Sequence, residues 1–315
     1  MTGLAARWGR SVLVLLGGPR ENEVICIMHE KIGLIGVGNV GARLAARLLE
    51  AGAELHVYDK AVEGVVPLVA KGAISHRSAA SLAATVDVVI LSLPTSDIVD
   101  SVVLGDDGIL SVMRDEAILI DMSTSLPART LRIVRQAQDR GIRVLDAPLS
   151  FGPDGMVIFV GGELETYEEV KPIFDIVGSR SFLVGPSGHG HFVKLAQNLI
   201  SGVFICAVAE AVAYGKRAGL DLEKMWDALR TTGAQSSVVE NTMPHMIDHA
   251  FGNSGTLAMH LKDMNYALST GAQMGARMPF AKATQLAFEG ALEHGDRSWT
   301  QTAVVTWFEE DVESG

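Results

Sequence analysis

The sequence predicts an α/β fold with a doubly wound, mostly parallel sheet, followed by an all-α C-terminal domain. Three observations carry that reading. Short apolar runs alternate with helix-period segments between residues 31 and 162. From Gly190 onward the strand-like runs stop and only helical periodicity remains. A glycine-rich turn, "GVGNVG", stands between the first strand and the first helix.

The elements follow in order. "KIGLIG" (31–36) is a short apolar run ending at glycine and reads as a buried strand. "NVGARLAARLLEAG" (39–52) has helical period and a glycine stop. "AELHVYD" (53–59), "VDVVILSLP" (86–94) and "EAILIDMS" (116–123) read as further strands. "PARTLRIVRQAQDRG" (127–141) is a helix with proline at its start and glycine at its end. "IRVLDAP" (142–148) and "MVIFVGG" (156–162) are strands, with "SFGPDG" left between them as a loop. Helices are expected over 190–218, 221–231, 236–250, 256–275, 279–294 and 297–309.

The 315 residues suit two domains, placed at 29–188 and 189–315. Residues 1–28 read as a disordered extension, or as a start assigned too early with Met28 the true one. A composition 48% hydrophobic and 20% charged supports a sizeable core. The net charge of -11 lacks the electrostatic footprint of a nucleic-acid binder. Cys26 and Cys206 form neither a metal-ligand spacing nor a disulfide framework, which points to a reducing, cytoplasmic setting. The histidines show no ligand spacing, so no metal is expected. The apolar run "LISGVFICAVAEAVAYG" carries Glu210 and reads as a buried helix, so no membrane partner is expected either.

Gly36, Gly38 and Gly41 have G-x-G-x-x-G spacing, after a strand, before a helix, and ahead of a second strand that ends in Asp59. That context is the dinucleotide fingerprint of a Rossmann-type domain. Gly36 permits the tight turn, Gly38 lets backbone approach the pyrophosphate, and Gly41 lets helix and strand pack closely. The helix N-terminus, opened by Asn39 and Val40, offers N–H groups and a positive dipole end to the phosphates. A carboxylate at Asp59 suits both ribose hydroxyls and repels a 2′-phosphate, favouring NAD. Lys60 beside it leaves NADP open. Two further loops fall at strand carboxyl ends, where open α/β sheets bind ligands. Leu93 and Pro94 would line the cofactor crevice, and Ser123 and Thr124 would offer hydroxyls to cofactor or substrate.

These motifs resemble the β-hydroxyacid dehydrogenase family, the group of 3-hydroxyisobutyrate dehydrogenase and tartronate semialdehyde reductase. The resemblance runs from about residue 30 to 310. "GLIGVGNVGARLAARLLEAGAELHVYD" is similar to the family's cofactor signature, "DMSTSLP" to its Asp-x-Ser-Thr loop, and "DAPLSFG" to its substrate loop. "GHGHFVKLAQN" resembles the segment that carries the family's catalytic lysine, here Lys194, with Asn198 four residues on. "LKDMNYAL" is similar to the Lys-Asp helix that reaches the cofactor site, and "GDRSWTQTAVV" to the terminal Asp-x-Ser stretch. The resemblance implies that Lys262 lies near cofactor and substrate, and that Ser150 and Gly152 help hold the substrate carboxylate. Two positions depart from the pattern. Val40 stands where the family usually has methionine. Phe151 stands where it has glycine, in a substrate loop several residues short.

The expected reaction interconverts a small β-hydroxy acid and its semialdehyde or keto form by hydride transfer with NAD or NADP. Hydride transfer is cofactor chemistry, so the protein must place the substrate carbon and move one proton. Lys194 would take the hydroxyl proton in oxidation and return it in reduction. An ordinary lysine holds its proton up to a pH near ~10.4, and apolar surroundings ease its loss. Asn198 shares the helix face of Lys194 and would orient substrate or amine, and His191, three residues earlier, is expected on the same face. The helix, starting where the α/β domain ends, would lie across an interdomain cleft. The family implies a homodimer or homotetramer through the helical domain. Two alternatives stand beside this reading: an imine reductase on the same fold, whose members usually lack the lysine, and a non-catalytic nucleotide-binding scaffold.

Overall fold

The computed structural model describes residues 14–15, 24–25, 30–252, 255–296 and 298–310. The expectation for residues 1–28 lies outside the described residues, save for Val14–Leu15 paired antiparallel with Val24–Ile25. The chain divides into two compact units, one ending at Lys194 and one beginning at Leu195.

In the first unit, β1 (Ile32–Ile35) is buried at every position. A central parallel strand is covered on both faces, which is why its sequence is continuously apolar. α1 (Asn39–Glu50) buries Gly41, Leu44, Ala45 and Leu48, the three-and-four spacing of a helix with one face on a core. The alternation continues through β2 (Leu55–Tyr58), α2 (Val62–Val69), β3 (Ile74–Ser75), α3 (Ala79–Ala83), β4 (Val88–Leu91), α4 (Ser96–Leu104), β5 (Ile118–Asp121), α5 (Pro127–Gln138) and β6 (Arg143–Asp146). These six strands are parallel, in the order β3-β2-β1-β4-β5-β6. The order reverses at β1, so a crevice opens at the carboxyl ends of β1 and β4. Two cores flank the sheet, one built around Leu34, Leu44 and Phe174, the other around Leu82, Val103 and Ile133.

Beyond β6 the structure corrects one expectation. "SFGPDG" is not a loop between strands but the greater part of a hairpin. β7 (Leu149–Gly152) pairs antiparallel with β8 (Gly155–Gly161), placing Ser150 opposite Val157, Phe151 opposite Met156 and Gly152 opposite Gly155. Only Pro153 and Asp154 turn the chain, and Gly155 follows with φ of 121°. β8 pairs antiparallel with β6 at Gly161 and Asp146. Its earlier residues therefore run out past the carboxyl end of β6, and the hairpin projects over the ligand edge of the sheet. α6 (Leu164–Val177) and β9 (Arg180–Gly185), parallel to β8, complete the sheet.

The helices of the second unit are the remainder of α7 (His189–Arg217), α8 (Leu222–Leu229), α9 (Ser237–Ile247), α10 (Leu257–Gln273) and α11 (Pro279–His294). The segment expected as one helix over 297–309 is a 3-10 turn, Gln301–Val304, and a short helix α12 (Val305–Glu309). The core of this unit gathers Ile205, Ala209, Val212, Met246, Phe288 and Val304. Asp221, Ser236 and Thr256 cap α8, α9 and α10 through side-chain oxygens, each accepting an N–H that the first turn leaves unpaired.

The start of α7 is fixed inside the first unit, which is why the division falls at Lys194 and not ahead of the helix. Asp146, with no exposed surface, accepts the Gly188 N–H at 2.6 Å and the His191 N–H at 2.9 Å. The glycine between them is required, because a Cβ on Gly190 would lie 2.4 Å from the Phe159 carbonyl oxygen. Burial raises the Asp146 carboxyl above its usual range, opposed by His191 and the two N–H groups. A carboxyl whose pKa rises on folding binds its proton better in the folded chain, so its contribution falls as pH climbs through that window. Asp146→Ala should leave two buried N–H groups unpaired and lower the unfolding free energy by roughly 1–3 kcal/mol for each, read by urea denaturation. The same variant should lack the loss of stability that the wild type shows as pH rises from 3.8 toward the raised value.

Candidate active site

The turn between β1 and α1 has the geometry of a phosphate cradle. Gly36 has φ of 94°, and a Cβ on it would lie 2.2 Å from the Ser92 carbonyl oxygen. Gly41 lets α1 rest on the turn, since a Cβ there would stand 2.0 Å from the Gly36 oxygen. Gly38 differs: nothing lies within 4 Å of its Cβ position, so the backbone is open to a ligand on that side. Gly38 is also the N-cap of α1, and no side chain caps the helix. The first N–H groups of α1, including those of Asn39 and Val40, thus have no side-chain cap and suit a phosphate. These observations fit the pyrophosphate of a dinucleotide.

Asp59 follows β2 and holds that turn. Its Oδ2 accepts the Val37 N–H at 2.7 Å and its Oδ1 accepts the Ala61 N–H at 2.8 Å. A carboxylate has about four lone-pair sites, so acceptor capacity remains for ribose hydroxyls. At the next strand ends, the Leu93 N–H donates to Ser123 Oγ at 2.9 Å. Ser123 is buried, and its N–H donates to Asp121 Oδ1 at 3.0 Å. Its hydroxyl thus supports the Leu93–Pro94 loop, while Thr124 is half-buried beside it.

His191 turns its ring toward the sheet. It is completely buried, with Nε2 3.0 Å from the Ser123 carbonyl oxygen and Nδ1 2.8 Å from Thr130 Oγ1. The Asp146 bonds rotate the first turn of α7 so that this ring faces the sheet. His191 is therefore a brace between α7, α5 and the β5 loop, with both ring nitrogens engaged there.

Lys194 is half-buried on α7, and Asn198 follows one helical turn later. Asn198 is buried, and its Nδ2 donates to Asp263 Oδ2 at 2.7 Å. A carboxylate only accepts, so the amide nitrogen faces Asp263 and Asn198 Oδ1 is left as an acceptor. Lys262 Nζ stands 3.0 Å from Asp263 Oδ1, an ion-pair distance without hydrogen-bond alignment, and 5.1 Å from the centre of the Tyr266 ring. Lys262 thus meets Asp263 and Tyr266 of its own helix, and Asp263 also reaches Asn198. In the sequence Asp263 stands out only as a neighbour of Lys262, because 65 residues separate it from Asn198 and no local spacing signals the bond. Ser150 and Gly152 lie half-buried on β7, with exposed Phe151 alternating between them.

Residues 31–185 match the NAD binding domain of 6-phosphogluconate dehydrogenase. Residues 188–308 match the family described as NAD-binding of NADP-dependent 3-hydroxyisobutyrate dehydrogenase. The 2-(hydroxymethyl)glutarate dehydrogenase of Eubacterium barkeri is 31% identical over 89% of this chain and 95% of its own. The chain belongs to the β-hydroxyacid dehydrogenase family. A second member, the 2-hydroxy-3-oxopropionate reductase of Escherichia coli, is 32% identical over 87% of this chain and 96% of its own. The solved 3-hydroxyisobutyrate dehydrogenase of Salmonella typhimurium superposes with a TM-score of 0.79 at 26% identity, covering 88% of this chain and 99% of that one. An imine reductase of Myxococcus stipitatus shares the fold alone, at 18% identity and a TM-score of 0.61. As a β-hydroxyacid dehydrogenase the protein is an NAD(P)-dependent oxidoreductase of hydroxy acids.

Replacing Asp263 should separate positioning from folding. Asp263→Ala should lower kcat by about 10- to 100-fold by unfixing the Asn198 amide, and should shift the pH profile of kcat. An unchanged pH profile together with a lowered thermal midpoint would assign Asp263 to structure only.

Proposed function

We propose that Lys194 is the general acid and base of this dehydrogenase, with Asn198 orienting the reacting oxygen under the control of Asp263. The observation that supports it most is the 2.7 Å bond from Asn198 to Asp263, which holds a buried amide one helical turn from a half-buried lysine. The nicotinamide, when bound, exchanges a hydride with the substrate carbon. In oxidation Lys194 Nζ takes the proton of the substrate hydroxyl, and in reduction it returns a proton to the carbonyl oxygen. Asn198 fixes where that oxygen sits. Ser150 and the backbone at Gly152 take the substrate carboxylate, Leu93, Pro94 and Thr124 line the crevice, and Lys262 lies toward the cofactor side. The substrate is a small β-hydroxy acid or its semialdehyde.

The cofactor preference follows from Asp59. Its two oxygens already bind Val37 and Ala61, so the carboxylate is anchored beside the ribose position and would repel a 2′-phosphate. The preferred cofactor is NAD. The helical unit supports a homodimer or homotetramer. α7 packs Ile205, Ala209 and Val212 into its core while Ile200, Phe204 and Tyr214 remain exposed. A reducing, cytoplasmic setting goes with Cys26 and Cys206, which form no disulfide framework in the sequence.

Lys194→Ala should lower kcat by about 10²- to 10⁴-fold, with NADH affinity changed less than about twofold by fluorescence titration. Equal losses in both would make the lysine structural. Asp59→Ala should weaken NADH more than NADPH, and an unchanged ratio of the two affinities would remove the preference for NAD. A panel of short hydroxy acids and aldehydes, followed at the nicotinamide absorbance, identifies the substrate.

A further inference from the structure

The Arg43 guanidinium carbon lies 5.3 Å from the centre of the Phe151 ring. Arg43 is on the exposed side of α1, five residues after Gly38, and Phe151 is on the projecting hairpin with 55% of its surface exposed. In the sheet, β4 and β5 stand between β1, which leads into α1, and β6, which leads into the hairpin. The pair therefore connects two elements on either side of the strands that carry the Leu93–Pro94 and Ser123–Thr124 loops.

Two features of Arg43 are unusual for a surface arginine in a chain of net charge -11. Among the described residues no carboxylate forms an ion pair with it, and its contact is the aromatic face. The first turn of α1 holds no acidic residue, so the cation near the positive end of the helix dipole is not offset by a side chain. Long helical side chains also lie back over the preceding turn. At 1.5 Å per residue, Gly38 is only about 7 Å back along the axis, within reach of an arginine. The hairpin projects past the same edge of the sheet, so a guanidinium stacked on Phe151 is reaching toward the glycine turn and not away from it.

We propose that Arg43 is a contact to the cofactor pyrophosphate and that, through Phe151, it ties cofactor occupancy to the substrate hairpin. A guanidinium stacks by its face and donates hydrogen bonds by its edge, so both contacts are compatible. A bound phosphate would hold Arg43, Arg43 would hold the ring, and the ring would fix the strand that bears Ser150 and Gly152. Phe151, at the position where a glycine would leave the strand loose, is then the positioning residue of a shortened loop. The inference rests on the reading of the glycine turn as the cofactor cradle and of the hairpin as the substrate side.

Binding of NADH and of ADP-ribose to the substrate-free protein tests the phosphate contact. Arg43→Gln should weaken both about tenfold, equivalent to about 1.4 kcal/mol, and flatten the salt dependence of binding. Arg43→Lys should restore most of the salt dependence. Hydrogen exchange tests the tie. Saturating NADH should protect the amides of residues 149–157 in the wild type, and much less in Arg43→Gln and Phe151→Gly. Phe151→Gly should keep NADH affinity within about threefold, since it leaves the charge in place. An Arg43→Gln protein that binds ADP-ribose as the wild type does would overturn the contact, and hairpin protection that persists in that variant at saturation would overturn the tie. If the wild type itself fails to bind NADH, the cradle reading fails with it. If Ser150→Ala leaves the substrate KM unchanged, the hairpin's role in substrate binding fails while the Arg43 result stands.

Discussion

A buried carboxylate with two backbone N–H groups on it decides where the long helix of this protein begins. Asp146 ends the last parallel strand and accepts from Gly188 and His191. Those bonds set the rotation of α7 about its axis, and the rotation decides which residues of "GHGHFVKLAQN" face inward. His191 goes into the sheet, bracing Ser123 and Thr130. Lys194, three residues on, is left half-buried and Asn198 is carried one turn further to meet Asp263. Burying Asp146 is unfavourable for its charge, and the two donors offset that cost only while the glycines allow the backbone to come this close.

The cofactor end of the first unit rests on a similar economy of groups. Gly36 and Gly41 allow the turn and the helix to touch, and Asp59 binds that turn from the neighbouring strand. The same carboxylate thus has a structural bond and spare acceptor capacity beside the turn. Such a pairing means that the residue cannot move far when the cofactor arrives, which is what a preorganised site requires. Ser123 has the matching role in the next loop, holding the Leu93 backbone with its own hydroxyl.

The hairpin is the part of the first unit that local sequence describes least well. A two-residue turn joins the strands, and their pairing sets Ser150, Phe151 and Gly152 opposite Val157, Met156 and Gly155. A short hairpin has few contacts of its own, and a projecting one gains order by leaning on something else. Here the only ring on β7 leans on an arginine of α1. The hairpin and the helix after the glycine turn are joined by a contact that neither element's sequence suggests.

The α/β and all-α halves and the glycine turn were legible in the sequence, as were the placement of Asp59 at a strand end and of Lys194 and Asn198 one helical turn apart. Each depends on local spacing: period two or 3.6, glycines at fixed offsets, or residues one helical turn apart. The hairpin was not legible, because "SFGPDG" carries turn residues throughout, and strand pairing with Met156 and Val157 overrides local propensity. The direction of His191 was not legible either, since helical spacing gives relative angles and not the angle at which the whole helix meets its neighbours. The Asn198–Asp263 and Arg43–Phe151 contacts join residues 65 and 108 positions apart. By itself the sequence determined the elements and the chemistry available to them. Only tertiary packing decided which side chains meet, because long-range contacts are set by how whole faces bury and not by the identity of either residue alone.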